Sequence, residues 1–247
     1  MVNWLLFGVG AVAFGLTTWR RGSLTAGGAV TAVVIGTVVT AMAGVPWLLP
    51  LFVFFLSSSV LGRMLPAGTD AGDHKDKQPR DAVQVLCNGG VYAVLAGVGA
   101  DPELLLVSLA VATSDTWASE IGKYVRQPTY DVLRLRRVPP GLSGGVSLAG
   151  TVGGAAGAAV IGMLAFLVGP ADISGTVVYV AIWGFIGMLV DSLLGSALQA
   201  RYADVDGVLS DVARPGGRLV GGLHWMTNDL VNLIAIAVTV ALATAIG

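Results

Sequence analysis

The sequence predicts an all-α integral membrane protein: a bundle of about eight transmembrane helices rich in Gly and Ala, with both termini on the non-cytoplasmic side. Three observations carry this. Of the 247 residues, 55% are hydrophobic and only 12% are charged, with a mean hydropathy of +0.79, whereas ordinary globular domains carry about 25% charged residues. The chain contains 35 glycines, the small residues that let helix backbones approach where lipid supplies no hydrophobic drive. Its 14 lysines and arginines fall on alternate connections between apolar runs, the bias that marks cytoplasmic loops. A transmembrane β-barrel is set aside, because the apolar runs are long and continuous and do not alternate every second residue.

Runs long enough to cross a bilayer are Val2 to Trp19, Leu24 to Ala43, Trp47 to Leu61, Ala82 to Ala100, Glu103 to Gly122, Gly144 to Val168, Gly175 to Gln199 and Leu223 to Ile246. The first resembles a signal peptide in length. Its arginines, Arg20 and Arg21, follow the apolar stretch and do not precede it, so it reads as a retained span. Basic residues then follow the third span (Arg63, Lys75, Lys77, Arg80), the fifth (Lys123, Arg126, Arg134, Arg136, Arg137) and the seventh (Arg201, Arg214, Arg218). An error in the span count would scramble that alternation. The longest polar segments, 62–81 and 123–140, are each too short to bury a core of their own, so residues 1–247 read as one membrane-embedded domain. The single cysteine, Cys87, excludes an internal disulfide or a CxxC metal site. A net charge of −1 gives no overall attraction to nucleic acid.

Polar side chains inside apolar spans are costly to bury and mark functional sites. In the fourth span Arg80, Gln84 and Asn88 recur every four residues, on one helix face. In the fifth, TSDTWASEIG carries Ser114, Asp115, Ser119 and Glu120, with Glu120 turned about 140° from Asp115 at 100° per residue. In the seventh, DSLLGSALQ sets Asp191, Gly195 and Gln199 on one stripe. His224, Asn228 and Asn232 form another stripe in the eighth, with Asp229 beside them. Measured from the cytoplasmic ends, Asn88, Asp115 and Asp191 lie at about 10–12 Å depth.

Carboxylates gathered at one depth imply a divalent cation or protonation, since repulsion and desolvation otherwise forbid them. Oxygen donors without thiols favour Mg²⁺ over zinc. Asp115 and Asp191 are the first candidates for metal ligands and catalytic residues, then Glu120, with Asp229 as a further ligand; His224 reads as substrate-facing. The segment GLSGGVSLAGTVGG, Gly141 to Gly154, opens the sixth span. Glycine-rich turns entering a helix offer N–H groups to phosphate, so Ser143, Gly144, Gly145 and Ser147 read as phosphate contacts, and Gly150, Gly153 and Gly154 as helix packing. The RLRR cluster before it makes Arg126 and Arg137 weaker candidates.

TSDTWASEIG, GLSGGVSLAGTVGG, DSLLGSALQ and NDLVN, with RDAVQVLCNGG upstream, together resemble the family called transmembrane protein 19 or domain of unknown function 92. The resemblance covers roughly residues 80–232, the motif-bearing core, while residues 1–61 match only in hydropathy. That family includes the phytyl-phosphate kinases and is similar to the CTP-dependent polyprenol and phytol kinases. Their loop lysine has no counterpart in GLSGG. The resemblance implies an enzyme of the cell membrane, acting on its cytoplasmic side. It would transfer a phosphoryl group from a nucleoside triphosphate, CTP favoured, to an isoprenoid (phytyl or prenyl) monophosphate. Mg²⁺ would be its cofactor and no nucleic acid its partner. Arg80, Asn88, Ser114, Ser119, the Ser143 to Ser147 loop, Gln199, His224, Asn228 and Asn232 would hold nucleotide and phosphates. A cytidylyltransferase or a lipid or ion carrier could use the same residues.

Overall fold

The computed structural model describes residues 4–64, 78–169 and 173–246; Lys75 and Lys77 of the loop charges lie outside them. Among the described residues eight long helices run in the order expected, α1 (Trp4–Arg20), α2 (Ala26–Met42), α3 (Leu48–Met64), α4 (Ala82–Val98), α5 (Pro102–Val125), α6 (Leu148–Met163), α8 (Ile173–Leu198) and α9 (Asn228–Ile246). A short α7 (Ala165–Val168) prolongs α6 beyond a turn at Leu164, and the 3₁₀ turn Val45–Trp47 leads into α3. Five segments are long and apolar enough to cross a membrane: Val45–Met64, Pro102–Val125, Leu148–Val168, Ser174–Leu198 and Asn228–Ile246. The remaining three, α1, α2 and α4, have 17 residues each, about 25 Å, at the short end for a span.

Local chemistry sets the helix ends. Thr25 caps α2 by accepting from Gly28 N–H. Asp81 and Gln84 form a reciprocal capping box on α4, satisfying donors that would otherwise be orphaned. Ser147 caps α6 through Gly150 N–H at 3.2 Å. At the far end of α4, Gly99 in the left-handed region (φ 67°) closes the helix.

The centre of the bundle is α5, buried continuously from Leu104 to Ser114. It is held at close range by glycines of α6 and α8. A Cβ at Gly154 would meet Met188 and Ser114, one at Gly157 the Thr113 carbonyl at 3.1 Å, and one at Gly184 the Ala110 side chain at 2.6 Å. This is the small-residue packing expected of Gly153 and Gly154. Gly150 packs likewise: a Cβ there would stand 2.9 Å from the Ala118 carbonyl oxygen. Ser114 Oγ donates to the Gly154 carbonyl at 2.8 Å and Trp117 Nε1 to Ser57 Oγ at 3.1 Å, tying α5 to α6 and to α3.

Two expected spans start too early. Gly144 and Gly145 do not begin a helix; Gly145–Val146 is strand β3, paired with β1 (Thr129–Asp131), which also pairs with β2 (Arg137–Val138). The last helix begins at Asn228, five residues after Leu223, because Arg218–Gly221 forms strand β6 on β4 (Arg201–Ala203), whose other neighbour is β5 (Leu209–Ser210). Leu223 N–H then bonds the Leu198 carbonyl. Both three-stranded sheets cap the same end of the bundle. That end carries Arg63, which donates to Ser23 Oγ at 2.6 Å, and Arg80, whose N–H bonds the Ser23 carbonyl.

If this basic end is cytoplasmic, as the positive charges predict, a cysteine at Asp206 in a Cys87→Ser background is labelled by an impermeant maleimide only after cell lysis. One at Asp101, at the other end of α4 and α5, is labelled in intact cells. The reverse pattern would invert the orientation.

Candidate functional site

At the sheet-capped end, α3, α4, α5, α8 and α9 diverge around a cavity of about 500 Å³. The separately predicted polar stripes meet there. Asp115, Ser119 and Glu120 come from α5, Asp191 and Gln199 from the end of α8, Asn228, Asp229 and Asn232 from α9, and Arg80 and Asn88 from α4 and its entry. Ser143, Gly144, Gly145 and Ser147 close one wall.

The deepest polar contact is between carboxyl groups. Asp191 is 7% exposed and shares a side-chain hydrogen bond with Asp115. Such a contact requires a shared proton or a bridging cation. Asn232 supports it. With its amide oriented to satisfy its surroundings, Nδ2 donates to Asp191 Oδ2 at 2.9 Å and to the Asn228 carbonyl at 3.2 Å. Asn88, on the neighbouring α4, is held separately by donating its Nδ2 to the Gln84 carbonyl at 2.9 Å. The helix bounds place Asn88, Asp191 and Asp115 six to ten residues from their nearest ends, about 9–15 Å. They meet because the ends are staggered.

The four carboxylates expected to share a metal do not close into one cage: among the described residues no three His, Cys, Asp or Glu side chains cluster closely enough to hold an ion. Glu120 faces α3, with its carboxylate 3.8 Å from the position of a Cβ at Gly62. Asp229 is buried in the first turn of α9. An Asp115–Asp191 pair with neighbouring amide oxygens still suits Mg²⁺, which commonly takes one or two protein carboxylates and completes its shell with water and substrate phosphates.

The Ser143 to Ser147 loop is built differently from an open phosphate cradle. Ser143 N–H donates to Asp211 Oδ2 at 2.8 Å, Ser143 Oγ to Gln199 Oε1 at 2.7 Å, and Gly145 N–H to the Leu142 carbonyl at 2.9 Å. Ala149 N–H, in the first turn of α6, is taken by Gln127 Oε1 at 3.0 Å. The loop is docked on α8: Gly144, at φ 76°, has Ser196 backbone atoms 2.6 Å from where a Cβ would stand. Two of its N–H groups, those of Ser143 and Gly145, are thus engaged within the wall.

Ser114 and His224 lie outside the cavity lining. Ser114 is fully buried against α6. His224 sits in an exposed turn before α9, because the helix that would have aligned it with Asn228 starts four residues later. Arg126, a left-handed helix-end residue, and Arg137, on β2, are exposed and also outside the lining.

Sequence reasoning missed Arg63, Lys123, Ser58 and Asp211, all of which line the cavity. The two basic residues had been read only as topology markers. Lys123 passes directly under the glycine loop, where a Cβ at Gly141 would stand 2.8 Å from its Cε. A lysine thus reaches GLSGG from α5 and not from within the loop. Sequence reasoning also missed a buried anchor outside the cavity. Asp131 accepts from Arg201 Nη1 at 2.8 Å, Ser196 Oγ at 2.7 Å and Arg134 N–H at 2.8 Å. Arg201 Nη2 continues to the Ser143 carbonyl at 2.9 Å. Burial alone would push the Asp131 carboxyl up, but the hydrogen bonds from Ser196, the Arg134 backbone and Arg201, with the Arg201 charge, hold it below the usual carboxylate range.

Fold and cavity together define a multi-pass integral membrane protein whose polar chamber opens at its sheet-capped end. The chain belongs to the family Integral membrane protein DUF92, whose model matches residues 9–240. The match takes in the N-terminal helices that the motifs had left out. Similar proteins include Protein PGR of Arabidopsis thaliana, 25% identical over 90% of this chain and 88% of that protein. An uncharacterized membrane protein of Synechocystis is 25% identical over 94% and 82%. One from Methanocaldococcus jannaschii is 28% identical over 78% and 82%. No solved structure matches.

Proposed function

We propose that the protein is a kinase that transfers the γ-phosphoryl group of a nucleoside triphosphate, CTP favoured, to an isoprenoid monophosphate on the cytoplasmic side of the cell membrane. The observation that carries this reading is the Asp115–Asp191 carboxyl pair, set inside a 500 Å³ chamber that Arg63, Arg80 and Lys123 also line. Phosphoryl transfer needs positioning and charge neutralisation more than covalent chemistry. Mg²⁺ bound at Asp115 and Asp191 would neutralise phosphate charge. Lys123 and Arg80 would draw the triphosphate and the acceptor phosphate together, and Asn232 would fix the orientation of Asp191. An acceptor phosphate oxygen attacks the γ-phosphorus, the bond to the β-bridging oxygen breaks, and the nucleoside diphosphate leaves with that electron pair.

The acceptor is already ionised at neutral pH, since the second pKa of a phosphate monoester is about 6. A positioned general base is therefore unnecessary, whereas an alcohol acceptor would need one. Purified protein with Mg²⁺ and CTP is expected to phosphorylate prenyl phosphate far faster than prenyl alcohol, with activity falling as pH drops below about 6. Label at the γ position should enter the lipid, and α label should remain in CDP. Equal turnover of the alcohol would overturn the monophosphate assignment. Lipid carrying the α label would identify a cytidylyltransferase, and substrate movement across liposomes without nucleotide consumption a carrier.

A further inference from the structure

A second cavity, about 290 Å³ in volume, lies between α1, α2, α3 and α4. Its wall is built from Phe7 and Phe14 of α1, Val33 and Gly36 of α2, and Leu51 and Phe55 of α3, among other apolar residues. Among the described residues, the only polar side chains that line it are Arg80, Gln84 and Asn88. These three, with Phe54, also line the polar chamber, so the two cavities meet at one partition. Along α1 the groove is lined from Phe7 to Phe14 and along α3 from Leu48 to Phe55, about 10 Å in each case, a third of a hydrocarbon core of ~30 Å. At the junction the Arg80 guanidinium stands 5.9 Å from both the Phe54 and Phe55 ring centroids. A cation on an apolar wall is thus placed where a chain would end and an anion begin.

We propose that this groove seats the hydrocarbon chain of a lipid phosphate whose headgroup enters the polar chamber past Arg80. The proposal rests on the kinase reading for the fate of the headgroup. Its geometric basis is the boundary that the two cavities share, Phe54, Arg80, Gln84 and Asn88, with Arg80 as the charged residue on it among the described residues. It assigns α1 to α3 a role as the tail-binding wall, next to the carboxylates of α5 and α8. The groove is also built with room to be blocked. A Cβ at Gly10 meets nothing within 4 Å, and at Gly36 the nearest atom, Leu48 Cδ2, is 3.5 Å away, so larger side chains can fill the lane without shifting backbone.

The test uses the full chain in phosphatidylcholine nanodiscs and a phytyl-length prenyl monophosphate with a photoreactive diazirine in mid-chain. Cross-links are expected on peptides containing residues 7–14 and 32–36, displaced by unlabelled prenyl phosphate and not by added phosphatidylcholine. Gly10→Phe and Gly36→Leu should each reduce labelling and raise KM for the long prenyl phosphate by about tenfold, the worth of roughly two buried methylenes. Turnover of a five-carbon prenyl phosphate should not change. Cross-links elsewhere, equal displacement by phosphatidylcholine, or full labelling in both variants would overturn the proposal. The expected cross-links without phosphoryl transfer from any nucleotide would uphold the groove and overturn the kinase reading alone.

Discussion

Asp115→Asn and Asp191→Asn are each expected to lower phosphoryl transfer by ~10²–10³-fold, the scale of removing one electrostatic element that acts in the transition state, while the protein stays folded. The two carboxyl groups touch, and Asp191 is almost wholly buried. Replacing either with an amide removes repulsion as well as a ligand. Thermal stability in detergent should therefore hold or rise as activity falls, and that opposition separates a catalytic pair from a structural one. A structural carboxylate would lose stability and activity together. Near-normal turnover in both variants would remove the pair from the mechanism. Glu120→Gln should do less, because Glu120 faces Gly62 of α3 and not the touching pair.

The second large effect is on stability. Asp131→Ala is expected to cost about 3–5 kcal/mol, the usual penalty for stranding a buried charge, because Arg201, 7% exposed, loses the carboxylate that it contacts at 2.8 Å. The double variant Asp131→Ala/Arg201→Met should recover part of that loss, since the orphaned cation is gone. A double-mutant cycle on melting in detergent measures the coupling, and simple additivity would show that the pair is not an anchor. The sign with pH follows from the lowered Asp131 pKa. Its contribution is complete above the unfolded value near 3.9 and is lost as pH falls further toward the folded value. Melting followed from pH 7 to pH 3 should show this loss only in the acid limb, and only when Asp131 is present.

Hydropathy and charge alternation made the eight helices legible, and four-residue spacing picked out Arg80, Gln84 and Asn88, Asp115 and Ser119, Asp191 and Gln199, and Asn228 and Asn232, all of which line the cavity. The errors share a physical cause. Strands of two to four residues carry no readable alternation, so Gly144 to Val146 and Arg218 to Gly221 passed as approaches to helices. His224 was then assigned to a helical stripe that it never joins. The Asp131–Arg201 anchor bridges seventy positions of sequence, and no local spacing can signal it. Arg63 and Lys123 were visible as charges, but the same charges mark the cytoplasmic side of any membrane protein, and that reading hid their place on the cavity wall. Ser114 shows the converse: its neighbours in TSDTWASEIG face the chamber, and a 100° step is enough to turn it into α6.

The continuous burial of α5 bears on how the protein is assembled during synthesis. This helix combines a mean hydropathy of 1.2, the lowest among the five membrane-length segments, with the greatest burial. It carries Asp115 and Glu120 toward a chamber whose walls are shared between α3 and α4, made earlier in the chain, and α6, α8 and α9, made later. As it leaves the ribosome it has neither strong apolar character to partition into lipid nor the glycine faces that will enclose it. The close packing of α5 is therefore completed only once α6 and α8, which follow it in the chain, have been made.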